Sequence, residues 1–251
     1  MIYFVGAGSG APDLITVRGA RLLSEADVIV YAGSLVNPAL LDYKKDGCEV
    51  YNSAKMTLEE VIAVMAPAAK AGKTVVRLHT GDPCVYGAHR EQMDELDRLG
   101  LAYEVCPGVS SFCGAAEALK AEYTLPNVSQ SVILTRMEGR TPVPEKEQIE
   151  AFAAHGATLV IFLSAGQLAR LSERLIAGGY APDTPAAIVY KATWPDEKVV
   201  RTTVADLAEA GAREGITKTA LITVGGFLGT EYERSKLYDP TFTTEFREAS
   251  R

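Results

Sequence analysis

Short apolar runs recur along the chain, separated by stretches with helical spacing. The runs are IYFVGAG (2–8), VIVYAG (28–33), TVVRLHTGD (74–82) and YEVCPG (103–108), then SVILTR (131–136), TLVIFLS (158–164), AAIVYKAT (186–193) and TALITVGG (219–226). Most are continuously apolar. A strand reads that way when both faces are covered, whereas a strand with one wet face alternates. The segments between them suit helices: TLEEVIAVMAPAAKAG starts at a threonine able to cap and stops at Gly72. This alternation predicts an α/β fold with mostly parallel sheets. At 47% apolar and 23% charged in 251 residues, the chain can fill two cores. The polar stretch KAEYTLPNVSQ (120–130) separates two series of strands. An N-terminal α/β domain over 1–120, a C-terminal one over 121–229 and a tail over 230–251 are therefore expected. The tail is polar with scattered aromatics and reads as a disordered end or as an arm that docks on a partner subunit.

Glycine, proline and small polar residues gather just after the strands: GAGSGAPD, YAGSLVNP, HTGDPCVYG and CPGVSS in the first half. The second half adds RMEGRTPVP, SAG, KATWPDE and GGFLG. In open parallel sheets ligands bind beyond the carboxyl ends of the strands, so these turns mark a rim in each half, and an interdomain cleft is the expected site. The first turn is not a dinucleotide fingerprint. It reads GxGxG, Pro12 follows at once, and the second strand ends Val30-Tyr31-Ala32 with no carboxylate for a ribose. No phosphate-cradling GxxxxGK[ST] occurs either.

The stretch RLHTGDPCVYGAHREQ (77–92) holds His79, Cys84 and His89 at five-residue intervals. A zinc site needs three or four ligands at short spacings, and no fourth is in view, so no metal is expected. Cys84 reads as a small filler in a turn. Behind Gly81-Asp82-Pro83 a helix is expected from Val85 on, with Tyr86, His89, Met93 and Leu96 on one face. In the preceding strand Val75, Arg77 and His79 share one face, and Val76, Leu78 and Thr80 the other. A cation there is costly unless paired or at a wet rim. Arg77, Arg136 and Lys191 all fall near strand ends although the net charge is −7. They read either as partners of loop carboxylates or as a site for a polycarboxylate.

The acidic balance argues against nucleic acid. No apolar run approaches the ~20 residues of a membrane span. The N-terminus MIYFVGAGSG has no basic region or cleavage site and reads as a first strand. Cysteines 48, 84, 106 and 113 form no CxxC pair, as expected of reduced thiols in a cytoplasmic protein.

In order and spacing, FVGAGSGAPDLITVRG, YAGSL, HTGDPCVYGA, PGVSSF and KATWPDEK resemble the tetrapyrrole methyltransferases that use S-adenosylmethionine. The stretches VYAGSLVNP, RLHTGDPCVYGAHREQ, SSFCGAAEALKAEYTLPNVSQSVILTR, GRTPVPE and RSKLYDP are most similar to members that act at carbon 11 of a corrin precursor. Members acting on uroporphyrinogen carry an arginine after the glycine that ends the third motif; here Ala88 follows Gly87. The resemblance implies two α/β domains, a cytoplasmic homodimer, a tetrapyrrole polycarboxylate as substrate and S-adenosylmethionine as cofactor. It maps cofactor contacts onto Pro12, Thr80, Gly81, Asp82, Val85, Tyr86, Ser110 and Ser111, and onto Leu163, Tyr190, Lys191, Ala192, Thr219 and Ala220. Arg77, His79, Arg90, Arg136 and Lys191 are candidates for the substrate's carboxylates, and Glu91 for a base. The rivals are a sister enzyme acting at another ring carbon, a tetrapyrrole carrier, and a nicotinamide oxidoreductase.

Overall fold

A computed structural model describes residues 1–250. The chain divides into two compact units, Met1–Gly114 with Ala192–Asp196, and Ala115–Lys191 with Glu197–Arg251. In the first, strands β1 (Ile2–Gly6), β2 (Val28–Tyr31), β3 (Glu49–Asn52), β4 (Val75–His79) and β5 (Tyr103–Cys106) form one sheet in the order β3-β2-β4-β1-β5. Every pairing is parallel. Helices α1 (Val17–Glu25), α2 (Leu58–Lys70) and α3 (Arg90–Arg98) supply the crossovers, and the unit boundary falls inside α4 (Ser111–Leu119).

The first sheet is buried on both faces, as its continuous apolar strands require. Val5, Val76 and Leu78 pack with Leu22 and Leu23 of α1. Ile2, Phe4, Val30 and Val75 pack with Val61 and Met65 of α2 and Leu96 of α3. The alternation of residues 75–78 expected from the sequence is thus met. Thr57 caps α2 in a full capping box with Glu60, and Gly72 follows the helix at φ +79°.

The second unit contains β6 (Val132–Arg136), β7 (Thr158–Phe162), β8 (Pro185–Tyr190), β9 (Lys198–Thr203) and β10 (Ala220–Val224), ordered β6-β7-β10-β8-β9. Here only β6–β7 runs parallel; the other three pairings are antiparallel. Both units are α/β, and across the two sheets parallel pairing prevails, but the second sheet is mixed. Its core joins Leu159, Ile161 and Ile188 to α5 (Ile149–Ala153), α6 (Leu168–Ala177) and α7 (Leu207–Arg213).

An ion cluster braces this core. Arg174 of α6 pairs with Glu138, after β6, and with Glu150 of α5, and donates to Gln148 Oε1 at 2.6 Å. Tail residue Glu233 is tied to the 126–127 turn, its N–H on Pro126 O and its Oε1 accepting from Asn127. Further on, Tyr238 and Phe246 are exposed. No described helix is long and apolar enough to cross a membrane.

Candidate functional site

Three turns meet beyond the carboxyl ends of β1, β4 and β5. The first two are stitched backbone to backbone. Gly8 N–H donates to Gly81 O at 3.2 Å, and Gly81 N–H to Gly8 O at 3.0 Å. The third is joined by Asp82. Its Oδ2 accepts from Gly108 N–H at 2.9 Å while Oδ1 accepts from Cys84 N–H at 2.8 Å. Burial works to raise the Asp82 pKa, but these hydrogen bonds prevail and hold its carboxyl below the usual range. Asp82 therefore staples the turns together. The buried Ser110 carbonyl accepts the first amides of α4, and Ser111 opens that helix. Pro12 opens a short 3₁₀ turn after the first glycine-rich segment. That segment is also held by Thr193, whose Oγ1 accepts from Ala11 N–H at 3.0 Å and hydrogen-bonds Ser9 Oγ. Ala192 is buried beside it.

Behind Asp82 the expected helix does not start at Val85. Tyr86 and Ala88 hold φ of +55° and +47°, and α3 begins only at Arg90. Left-handed backbone at non-glycine residues costs on the order of 1 kcal/mol or more, and such strain concentrates at ligand clamps. Tyr86 is 46% exposed here, and Val85 is half-buried. Of the sequence's candidates, Pro12, Thr80, Gly81, Asp82, Val85, Tyr86, Ser110 and Ser111 all lie on these three turns.

In the second unit the other candidates come together at one end of its sheet. Arg136 lies opposite Phe162, and Ala220 opposite Tyr190. Lys191 N–H donates to Thr219 O at 2.9 Å. Leu163, Lys191 and Thr219 are all left-handed, at φ +53°, +46° and +56°. Leu163, 65% exposed, presents an apolar side chain to solvent from this strained position.

The candidate cations separate. Arg77 is buried, and its guanidinium donates to Gln92 Oε1 at 2.9 Å, Val30 O at 3.2 Å and Leu78 O at 3.4 Å. Burial pushes its pKa down to about 10, so it stays charged at neutral pH. His79 is 3% exposed, with its ring 5.9 Å from both Phe4 and His89. Its Nε2 has no hydrogen-bond partner among the described residues. Arg136 donates to Met137 O, Thr141 O and Pro142 O and so folds its own loop. Arg90 stands in solvent, paired with Asp94 at 2.7 Å, and Glu91 is exposed beside it. Sequence reasoning missed Gln92, a buried amide that links Arg77 to the strained turn; the signal was a polar residue three after His89 and four before Leu96, on their shared helical face. No described group of three His, Cys, Asp or Glu residues could hold a metal, and all four cysteines are free.

The His79 environment yields a pH prediction. Burial first, then the Arg77 charge, pushes its imidazole down to about 3, below the usual 6.5. As pH falls, the unfolded chain therefore takes up this proton before the folded one. The stabilising difference is full above pH 6.5 and is lost from there down toward pH 3, at up to about 1.4 kcal/mol per pH unit. Denaturant titrations of the wild type and His79→Gln between pH 7 and 5 should show a shallower loss in the variant. Equal slopes would mean that His79 takes up a proton in the fold as readily as out of it.

The turns of the first unit fit a ligand held by main-chain groups, since glycine, serine and proline leave the backbone open to close approach. The chain matches the family model described as Tetrapyrrole (Corrin/Porphyrin) Methylases over residues 1–208. It belongs to that family. It is 54% identical over 249 residues to a cobalt-precorrin-4 C(11)-methyltransferase of Methanocaldococcus jannaschii, covering 99% of this chain and 96% of the relative. The solved structure of a cobalt precorrin-4 methyltransferase from cobalamin biosynthesis superposes with TM-score 0.89 at 50% identity, over 91% of this chain and 96% of that one. A uroporphyrin-III C-methyltransferase from Thermus thermophilus, solved with S-adenosylhomocysteine, gives TM-score 0.76 at 28% identity over 93% and 95% of the two chains.

Proposed function

We propose that this chain transfers the methyl group of S-adenosylmethionine to carbon 11 of precorrin-4, or of its cobalt complex, in cobalamin biosynthesis. The observation that carries this reading is the 54% identity to a carbon-11 methyltransferase over 249 residues, which takes in all three stitched turns. When bound, S-adenosylmethionine supplies an electrophilic sulfonium methyl. The chain's own task is position. Methyl displacement needs the ring carbon, the methyl carbon and the sulfur in line, with the reacting atoms about 3–3.5 Å apart.

In this reading the turns at Pro12, Thr80–Asp82, Val85–Tyr86 and Ser110–Ser111 hold the cofactor through their backbone. The strained residues at the end of the second sheet, Leu163, Lys191 and Thr219 with Tyr190 and Ala220, are retained as further contacts. Among the candidate cations, Arg90 has the exposure to meet a carboxylate from solution. Arg77 and Arg136 spend hydrogen bonds on the protein itself, and His79 is buried, which supports structural roles for them. Glu91, exposed beside Arg90, is kept as the candidate for moving a proton. The reading includes a cytoplasmic homodimer; four free thiols fit a reducing compartment.

Incubation with S-adenosylmethionine and precorrin-4 or cobalt-precorrin-4, side by side, should add one methyl by mass, at carbon 11 by carbon-13 NMR. Methylation at another ring carbon would move the assignment to a sister enzyme. Absence of S-adenosylhomocysteine binding in calorimetry would remove the cofactor reading altogether.

A further inference from the structure

The Tyr86–Gly87–Ala88 backbone, left-handed at Tyr86 and Ala88, needs something to hold it. Two of its three residues bear side chains in a conformation that L-residues resist. Gly87 cannot become a bulkier residue, because a Cβ there would stand 2.2 Å from Pro83 O. The restraint comes from beneath, through buried polar side chains. Gln92, 6% exposed on the first turn of α3, donates from Nε2 to Ala88 O at 3.0 Å. Its Oε1 accepts from Arg77 Nε at 2.9 Å, and Arg77 is in turn bound to Val30 O. A continuous chain of hydrogen bonds thus runs from β2, through β4 and α3, to the strained turn.

Both ends of the Gln92 side-chain amide are needed in this orientation. Its carbonyl satisfies a buried cation and its amide satisfies the turn. A buried guanidinium nitrogen left without a partner is costly. The apolar surroundings of Phe4 and Leu96 offer no substitute.

We infer that Gln92 is a positioning residue for the cofactor turn: through Arg77 below and Ala88 above, it holds the left-handed backbone that presents Val85 and Tyr86. The inference rests on the cofactor reading for its consequence, but not for the mechanical role, and the two are tested apart.

Gln92→Glu separates the bonds. The new carboxylate still accepts from Arg77, as a charge-assisted pair, but gives nothing to Ala88 O. The variant should fold, with its melting midpoint near that of the wild type. Amide hydrogen exchange at residues 84–89 should quicken about tenfold, the scale of one lost buried hydrogen bond. In the methyl-transfer assay KM for S-adenosylmethionine should rise about tenfold with kcat within about twofold of the wild type. Gln92→Met, which removes both bonds, should instead lower the melting midpoint as well. Wild-type exchange at 84–89 in Gln92→Glu would overturn the inference, whatever the cofactor result. Quickened exchange in a protein whose wild type binds no S-adenosylhomocysteine would uphold the turn-holding role and sink the proposed function alone.

Discussion

Replacing Gly108 with alanine should weaken S-adenosylhomocysteine binding by about a hundredfold or more, measured by calorimetry on the purified protein. A Cβ on Gly108 would lie 2.3 Å from Gly81 O and 2.7 Å from Gly6 Cα. Both neighbours are backbone, so no rotamer change relieves the clash, and the turns must separate. Separation breaks the hydrogen bond from Gly108 to Asp82, which joins the third turn to the second. The melting midpoint should fall too, by about 5 °C, if overpacking costs about 2 kcal/mol in a chain of this size. Gly139→Ala is the control: its nearest neighbour is the tip of the Gln167 side chain at 3.5 Å, so both quantities should stay unchanged. Wild-type affinity in Gly108→Ala would show that the close approach of the three turns is not what shapes the cofactor site.

The second large effect is on stability. Arg174→Met should lower the unfolding free energy by about 3 kcal/mol at pH 7, toward the low end of the cost of breaking a buried ion pair. Arg174 is 12% exposed and Glu138 22%, so removing the guanidinium leaves this carboxylate with little water and only the half-exposed Arg170 as its ion-pair partner. Glu150 keeps about a third of its side chain open to solvent, which softens the loss. Hydrogen bonds from Arg174 hold the pKa values of Glu138 and Glu150 below the usual carboxylate value. That contribution is present above the unfolded pKa near 4.3 and is lost as pH falls through the folded values. The difference between variant and wild type in urea titrations should therefore be full at pH 7 and shrink below about pH 4. A constant difference down to pH 3 would assign the loss to packing of the arginine stem rather than to its charge.

The central strands were legible because burial on both faces leaves an unbroken apolar run. Two of the four edge strands were not. β3 reads EVYN and β9 reads KVVRTT, and both border solvent, so neither needs a continuous apolar sequence. The antiparallel pairings of β10 with β7 and β8 were also hidden, because composition carries no strand direction. The turns after β1, β4 and β5 were legible through glycine, proline and serine following strands, a signal tied to backbone geometry, whereas the cofactor role proposed for 80–82 and 110–111 comes from the family resemblance. The roles of Arg77 and Arg136 were not. A cation near a strand end looks the same in sequence whether it faces a ligand or caps its own neighbours, and only the partners decide. The helix expected from Val85 failed for a related reason. Its apolar spacing is helical, but Tyr86 and Ala88 are left-handed and the Ala88 carbonyl accepts from the Gln92 side chain.

By itself, then, the order of apolar runs and small-residue turns determined the α/β class, the buried central strands and the turns from which the proposed cofactor site is built, since each follows from local periodicity and backbone freedom. Only the tertiary structure decided which polar side chains are spent on the fold. Arg77 and Gln92 acquired their roles from each other and, for Arg77, from the Val30 carbonyl, and a hydrogen-bond partner distant in sequence leaves no mark on the residue that needs it.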